Sequence, residues 1–219
     1  MKNIILTSIL IIYASLPVYG VEKQKSLYVY PAPVEAKLND AFTVEVRQDC
    51  MSWQAVPVYN VMVDKVGTSH EVLDSSMAYF DFSSYVDVRV ISNSQHIESA
   101  RIRPSSYDIL SEISNDTLMF TLDRPRLLSI EVNGDIFNNL QLFANPVDTN
   151  RPDDIRKFAE DKNNLYFGPG YHKLDEVMVV GSGRNIYIDG GAYIDGMLEV
   201  ADANDVSIHG RGMIYPCRK

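Results

Sequence analysis

Asn185-Ile186-Tyr187-Ile188-Asp189-Gly190-Gly191-Ala192-Tyr193-Ile194 is matched 20 positions later by Asp205-Val206-Ser207-Ile208-His209-Gly210-Arg211-Gly212-Met213-Ile214. Both stretches keep the pattern polar-x-x-Ile-x-Gly-x-x-x-Ile. Asn164-Leu165-Tyr166-Phe167-Gly168-Pro169-Gly170 is a weaker third copy, 21 positions before Asn185. Repeats this short leave no room for a helix. Short β-runs between small residues predict a solenoid of stacked parallel strands, each coil adding to an inward column of Ile, Val and Leu. Glycine takes the positive φ that such corners demand.

Moving toward the N-terminus, the pattern changes twice. Asn145-Pro146 and Arg151-Pro152-Asp153-Asp154 break regular structure, and Ile155, Phe158 and Ala159 then share one helical face. Residues 146–163 therefore read as a linker with a short helix, capped by Asp153 or Asp154. From Leu27 to about Ala144 the period is two. Phe42-Thr43-Val44-Glu45-Val46-Arg47, Tyr85-Val86-Asp87-Val88-Arg89-Val90-Ile91 and Met77-Ala78-Tyr79-Phe80-Asp81-Phe82 show it best, with further runs from Val56 to Val66 and from Leu127 to Val132. Turn residues such as Gly67-Thr68-Ser69, Ser92-Asn93-Ser94 and Asn133-Gly134 separate them, the last being the strongest hairpin signal. Short alternating strands of this kind predict a β-sandwich with one face in the core and one in water. The expected fold class is all-β: a β-sandwich over residues 21–145, then the first coils of a solenoid over residues 164–219.

Residues 1–20, MKNIILTSILIIYASLPVYG, read as a signal peptide. Lys2 supplies the charge, and Ile4 to Leu16 is an uncharged apolar run too short to cross ~30 Å of hydrocarbon. A buried N-terminal strand or an uncleaved anchor are the alternatives. The expectation is export to the periplasm or beyond, with no integral membrane segment after cleavage.

The chain of 219 residues carries 20 Lys+Arg against 29 Asp+Glu, a net charge of −9. That balance argues against nucleic acid as a partner, since such affinity comes largely from cations neutralising phosphates. Two Cys cannot build a disulfide framework or a Cys-rich zinc module. Cys50 and Cys217 read as unpaired thiols in preference to one long-range disulfide.

The coil stretches from Asn164 to His172, Asn185 to Gly196 and Val206 to Ile214 resemble the opening coils of the right-handed parallel β-helix in pectinase-type glycoside hydrolases. The groups they resemble most are the polygalacturonases (family 28) and the dextranase/isopullulanase type (family 49). Leu128-Ser129-Ile130-Glu131-Val132-Asn133-Gly134 with Leu140-Gln141-Leu142-Phe143-Ala144-Asn145-Pro146 is similar to the end of the sandwich that precedes the helix in the family 49 type. The resemblance implies hydrolysis of a glycosidic bond by paired carboxylates, with a pectin- or dextran-like polysaccharide as partner. In those families the carboxylates sit on central coils, in Asn-x-Asp, Asp-Asp, Gly-His-Gly and Arg-x-Lys segments. None occurs in the coils here. Asp153-Asp154 lies in the linker, and His209-Gly210-Arg211-Gly212 fits the coil-corner pattern instead. No catalytic, cofactor-binding or metal-binding residue is assigned, and no cofactor is expected. The chain then reads as a truncated N-terminal part of a secreted polysaccharide-degrading hydrolase, inactive alone because the catalytic coils would lie beyond Lys219. Alternatives are a non-catalytic carbohydrate-binding or adhesive module and a pectate-lyase-like β-helix protein.

Several individual side chains have both a chemical and a plainer structural role open to them. Asp189 and Asp195 are the best carboxylate pair of the coils, yet Asp beside Gly at a corner is ordinarily turn chemistry. His172 and His209 read as corner residues, His209 facing solvent. Asp202, Asn204 and Asp205 read as a polar turn in preference to a calcium loop. Trp53, Tyr59 and Tyr79 could form a sugar-stacking platform, although strand packing accounts for aromatics equally well.

Overall fold

In a computed structural model, residues 26–65 and 71–215 are described. The signal-peptide reading of residues 1–20, Val66, the Gly67-Thr68-Ser69 turn and Cys217 lie outside the described residues. Within them the protein is nearly all β, with one short α-helix.

The N-terminal strands are β1 Leu27–Tyr28, β2 Phe42–Arg47, β3 Gln54–Val56, β4 Val58–Lys65, β5 Glu71–Phe82, β6 Val86–Ser92, β7 Ala100–Arg103, β8 Ser111–Ser114, β9 Thr117–Leu122, β10 Arg126–Val132 and β11 Leu140–Pro146. They form two sheets. One has the order β1-β5-β11-β10-β7, with β4 also on β5, and the other β3-β2-β6-β9-β8. All pairings are antiparallel except β5 with β11. The period of two does its expected work, because alternate residues of β2 and β6 are buried. Val44, Val46, Phe80, Phe82, Val88, Val90, Leu118, Leu122, Ile130 and Leu142 from both sheets share one core. Each such side chain contributes about 1.5–3 kcal/mol through removal from water.

Two expectations for this part change. The run from Val56 is not one strand: Pro57, which cannot donate to a ladder, separates β3 in one sheet from β4 in the other. Asn133-Gly134 begins a longer loop and is not a two-residue hairpin, since Ile130 pairs with Leu140. Asn133 and Gly134 do take left-handed φ values of 53° and 78°. The Asn133 side chain then accepts the backbone amides of Glu98 and Ser99, which ties the loop to a neighbouring segment.

The helix α1, Ile155–Glu160, is capped by Asp154, whose carboxylate accepts the Arg156 and Lys157 amides at 3.0 and 3.1 Å. Beyond it come β12 Asn164–Phe167, β13 Gly170–Lys173, β14 Met178–Val179, β15 Asn185–Ile188, β16 Ala192–Asp195, β17 Leu198–Glu199, β18 Ser207–Gly210 and β19 Met213–Tyr215. They stack as three parallel sheets, β12-β15-β18, β13-β16-β19 and β14-β17. Successive coils thus lie strand on strand, the arrangement of a parallel β-helix. Phe167, Val180, Ile186, Ile188, Ala192 and Ile194 fill its interior.

The register corrects the 20-residue alignment. Asn185 pairs with Ser207, 22 positions on, while Ile194 pairs with Ile214, 20 positions on. The difference is absorbed at the corner: between the partners Ile188/Gly210 and Tyr193/Met213, the four residues Asp189-Gly190-Gly191-Ala192 are replaced by the two of Arg211-Gly212. A slip of two keeps every side chain on its own face, which is why the repeat was visible at the wrong offset. Gly210 is required at its place: a Cβ there would sit 2.0 Å from the Ile188 carbonyl oxygen.

Candidate functional site

The outward face of the β5 sheet is not in water. Tyr59 on β4 and Tyr79 on β5 point away from the sandwich core and are buried, in a separate cluster with Tyr193, Met213 and Tyr215 of the coils. The rings run in sequence from Tyr30 to Tyr79 to Tyr59 to Tyr193, with centroids 5.7, 5.8 and 6.3 Å apart and near-parallel planes. Tyr193 then stacks on Tyr171 and Tyr215 in the coils before and after it, at 6.3 and 5.9 Å. Stacked aromatic pairs add about 0.5–1.5 kcal/mol each beyond their area. The Tyr79 hydroxyl accepts the Gly191 amide at 3.3 Å, which pins the coil corner to β5.

Two ion pairs flank this seam. Asp81 of β5 is fully buried and accepts two bonds from Arg211 Nε, at 2.8 and 3.0 Å. It also accepts the Tyr30 hydroxyl at 3.0 Å and the Asp148 amide at 3.1 Å. Burial pushes the Asp81 carboxyl up from its ordinary value, against the opposing pull of Arg211. Asp189, at the corner after β15, accepts three bonds from Arg151 at 2.8–3.1 Å, the Tyr166 hydroxyl and the Gly190 amide. Burial would push Asp189 up, but these donors outweigh it and hold the carboxyl below 3.8. Asp148 accepts the Tyr187 hydroxyl at 2.7 Å, so the linker is tied to the second coil as well.

These contacts decide the roles of the candidate residues. Asp189 keeps its turn bond to Gly190, and its larger role is the ion pair of its buried carboxylate with the half-exposed Arg151, which sequence reading missed. Asp195 accepts the Tyr171 hydroxyl at 2.7 Å, and that bond pushes Tyr171 up to about 12. The two carboxylates thus have separate partners, and neither presents an open acid–base pair. His209 is half-buried, not solvent-facing: its Nε2 lies 2.9 Å from Asn185 Oδ1 and its ring stands edge-on to Tyr187. His172 Nε2 lies 2.6 Å from the Gly168 carbonyl oxygen. Asp202 and Asp205 adopt left-handed φ of 50° and 57°, the geometry of a turn, and no group of three or more His, Cys, Asp or Glu side chains among the described residues is placed to hold a metal. Cys50 is a free, exposed thiol.

The proposed aromatic platform separates into two places. Tyr59 and Tyr79 belong to the seam. Trp53 lies on the outer face of the other sheet, where the Arg47 and Arg89 guanidiniums sit 4.4 and 4.5 Å from the indole centre. Arg47 pairs with Asp87 at 3.1 Å and Arg89 with Glu45, each across the β2–β6 ladder. Thr121 donates to Asp87 at 2.8 Å. Beside Trp53 opens a cleft of about 440 Å³ that also includes Ser111, Glu112 and Met119. The period-two reading already placed Glu45, Arg47, Asp87 and Arg89 on the outward face; their cross-strand pairing needed the register.

A β-rich protein whose short strands stack coil on coil in parallel sheets has, by fold, the arrangement of the parallel β-helix proteins. The chain is similar in structure to Dex49A from Penicillium minioluteum, with a TM-score of 0.59 and 17% sequence identity over 84% of this chain. The match takes in 47% of Dex49A, so the chain spans about half the length of that protein. No family model matches the sequence, and no curated protein matches it. The likeness bears out, at the level of fold, the resemblance carried by the coil motifs.

Proposed function

We propose that this chain forms the β-sandwich and first right-handed β-helical coils of an exported, polysaccharide-degrading glycoside hydrolase, and that it does not hydrolyse glycan by itself. The observation that carries this reading is the fold likeness to Dex49A across 84% of the chain. Glycoside hydrolysis needs one carboxylic acid to protonate the leaving oxygen and one carboxylate to activate water or attack the sugar, set roughly 5–9.5 Å apart around the bond. Asp81 and Asp189 cannot serve, because each is buried and fully engaged by an arginine and a tyrosine. Asp81 fixes a coil corner on β5 and Asp189 ties the linker to the coils, which supports a scaffolding role. Reducing-end release from dextran and from polygalacturonate by the purified mature chain tests the reading. No turnover is expected, and robust turnover that survives repurification would overturn it.

A further inference from the structure

We infer that the cleft beside Trp53 is a binding site for a neutral polysaccharide, separate from the seam between sandwich and coils. The inference deepens the glycan-handling role proposed above and rests on it.

A pyranose ring offers apolar C–H faces and a rim of hydroxyls, so its site needs a fixed apolar wall beside planar acceptors and donors. The cleft has both. Two guanidiniums lie within 4.5 Å of the Trp53 indole centre, each paired with its own carboxylate, so the ring is positioned before any ligand arrives. Met119, 37% exposed on the outer face of β9, supplies a second apolar surface. Asp87, Glu112 and the guanidinium of Arg47 line the same cleft. Carboxylates accept, and arginine donates, through paired oxygens or nitrogens that match neighbouring sugar hydroxyls.

Charge selects among glycans. Glu45, Asp87 and Glu112 outnumber Arg47 and Arg89 around the indole, and the chain as a whole carries −9. Both arginines are paired through Nε with carboxylates, which offsets their charge and leaves the other guanidinium N–H groups as donors. A polyuronate would bring like charge to the site, whereas an uncharged chain would not. The cleft is open on the outer face of the sheet and about 440 Å³ in volume, room for a sugar unit of a longer chain.

Trp53 is the one tryptophan of the sequence, so intrinsic fluorescence reports on this cleft directly. The mature chain is titrated with dextran, soluble starch and galactan, and separately with polygalacturonate. We expect a saturable emission change with at least one neutral glycan and none with polygalacturonate. Glu112→Ala, an exposed position, should weaken that binding about fivefold with unchanged thermal unfolding. Trp53→Ala, read by calorimetry, should weaken it tenfold or more. No response to any neutral glycan, equal or tighter binding of polygalacturonate, or unaltered binding by a folded Glu112→Ala variant would each overturn the proposal. All of these readouts are independent of turnover, so failure here is distinguishable from failure of the hydrolase reading.

Discussion

Arg211 and Asp81 lie 130 positions apart, yet the pair closes the seam between sandwich and coils. Arg211→Met would leave a fully buried carboxylate without its cation, and losses of this kind cost about 3–5 kcal/mol. Urea unfolding of the mature chain should show that loss, and an Asp81→Asn/Arg211→Met double variant should recover part of it, because the uncompensated charge is gone. Asp189 gives a pH signature with a definite sign. Its carboxyl titrates below the ordinary 3.8 in the folded protein, so the folded state gains stability from the ionised form above that value and loses it as pH falls through the lower folded value. Acid unfolding below about pH 4 should therefore flatten in Asp189→Asn, and a variant with an unchanged acid limb would count against the ion pair. Neither pair was legible in the sequence. Nothing local to Arg151 or Arg211 distinguishes it from a solvated arginine until the fold brings a buried carboxylate opposite.

At the scale of elements, the coils were legible because their chemistry is local. Ile186, Ile188 and Ile194 recur with their glycine corners at a spacing that only short stacked strands can use. The register was not, because the corner between the first and second strand of a coil shortens by two residues, from Asp189-Gly190-Gly191-Ala192 to Arg211-Gly212, and a change of two keeps the same faces inward. The outward face of the β5 sheet was misread for a similar reason: Tyr59, Met77 and Tyr79 look like a wet strand face carrying aromatics, and the covering surface comes from residues far along the chain. Gly190 tests that seam. A Cβ there would meet the Tyr30 ring at 2.1 Å, so Gly190→Ala must displace Tyr30 and loosen the Tyr30–Asp81 bond. The expected outcome is a lower unfolding midpoint together with faster amide exchange at the Gly191 corner. Ile186→Ala, inside the coil core, should destabilise by about 2–5 kcal/mol through the cavity it leaves, without altering the environment of Trp53.

For the molecule as a whole, the proposal divides labour: the sheet around Trp53 takes up sugar, the coils carry an apolar interior, and Asp81 and Asp189 hold the coils to β5 and to the linker. Together the two proposals require that this chain engage neutral glycan without cleaving it. Isothermal calorimetry of the mature chain with dextran measures both properties in one trace, because binding gives heats that decay and saturate whereas turnover gives sustained heat flow. Saturating heats that are weakened in Glu112→Ala, with no sustained signal, are expected. Sustained heat flow from the repurified chain, or no heat with dextran, soluble starch or galactan, would contradict it.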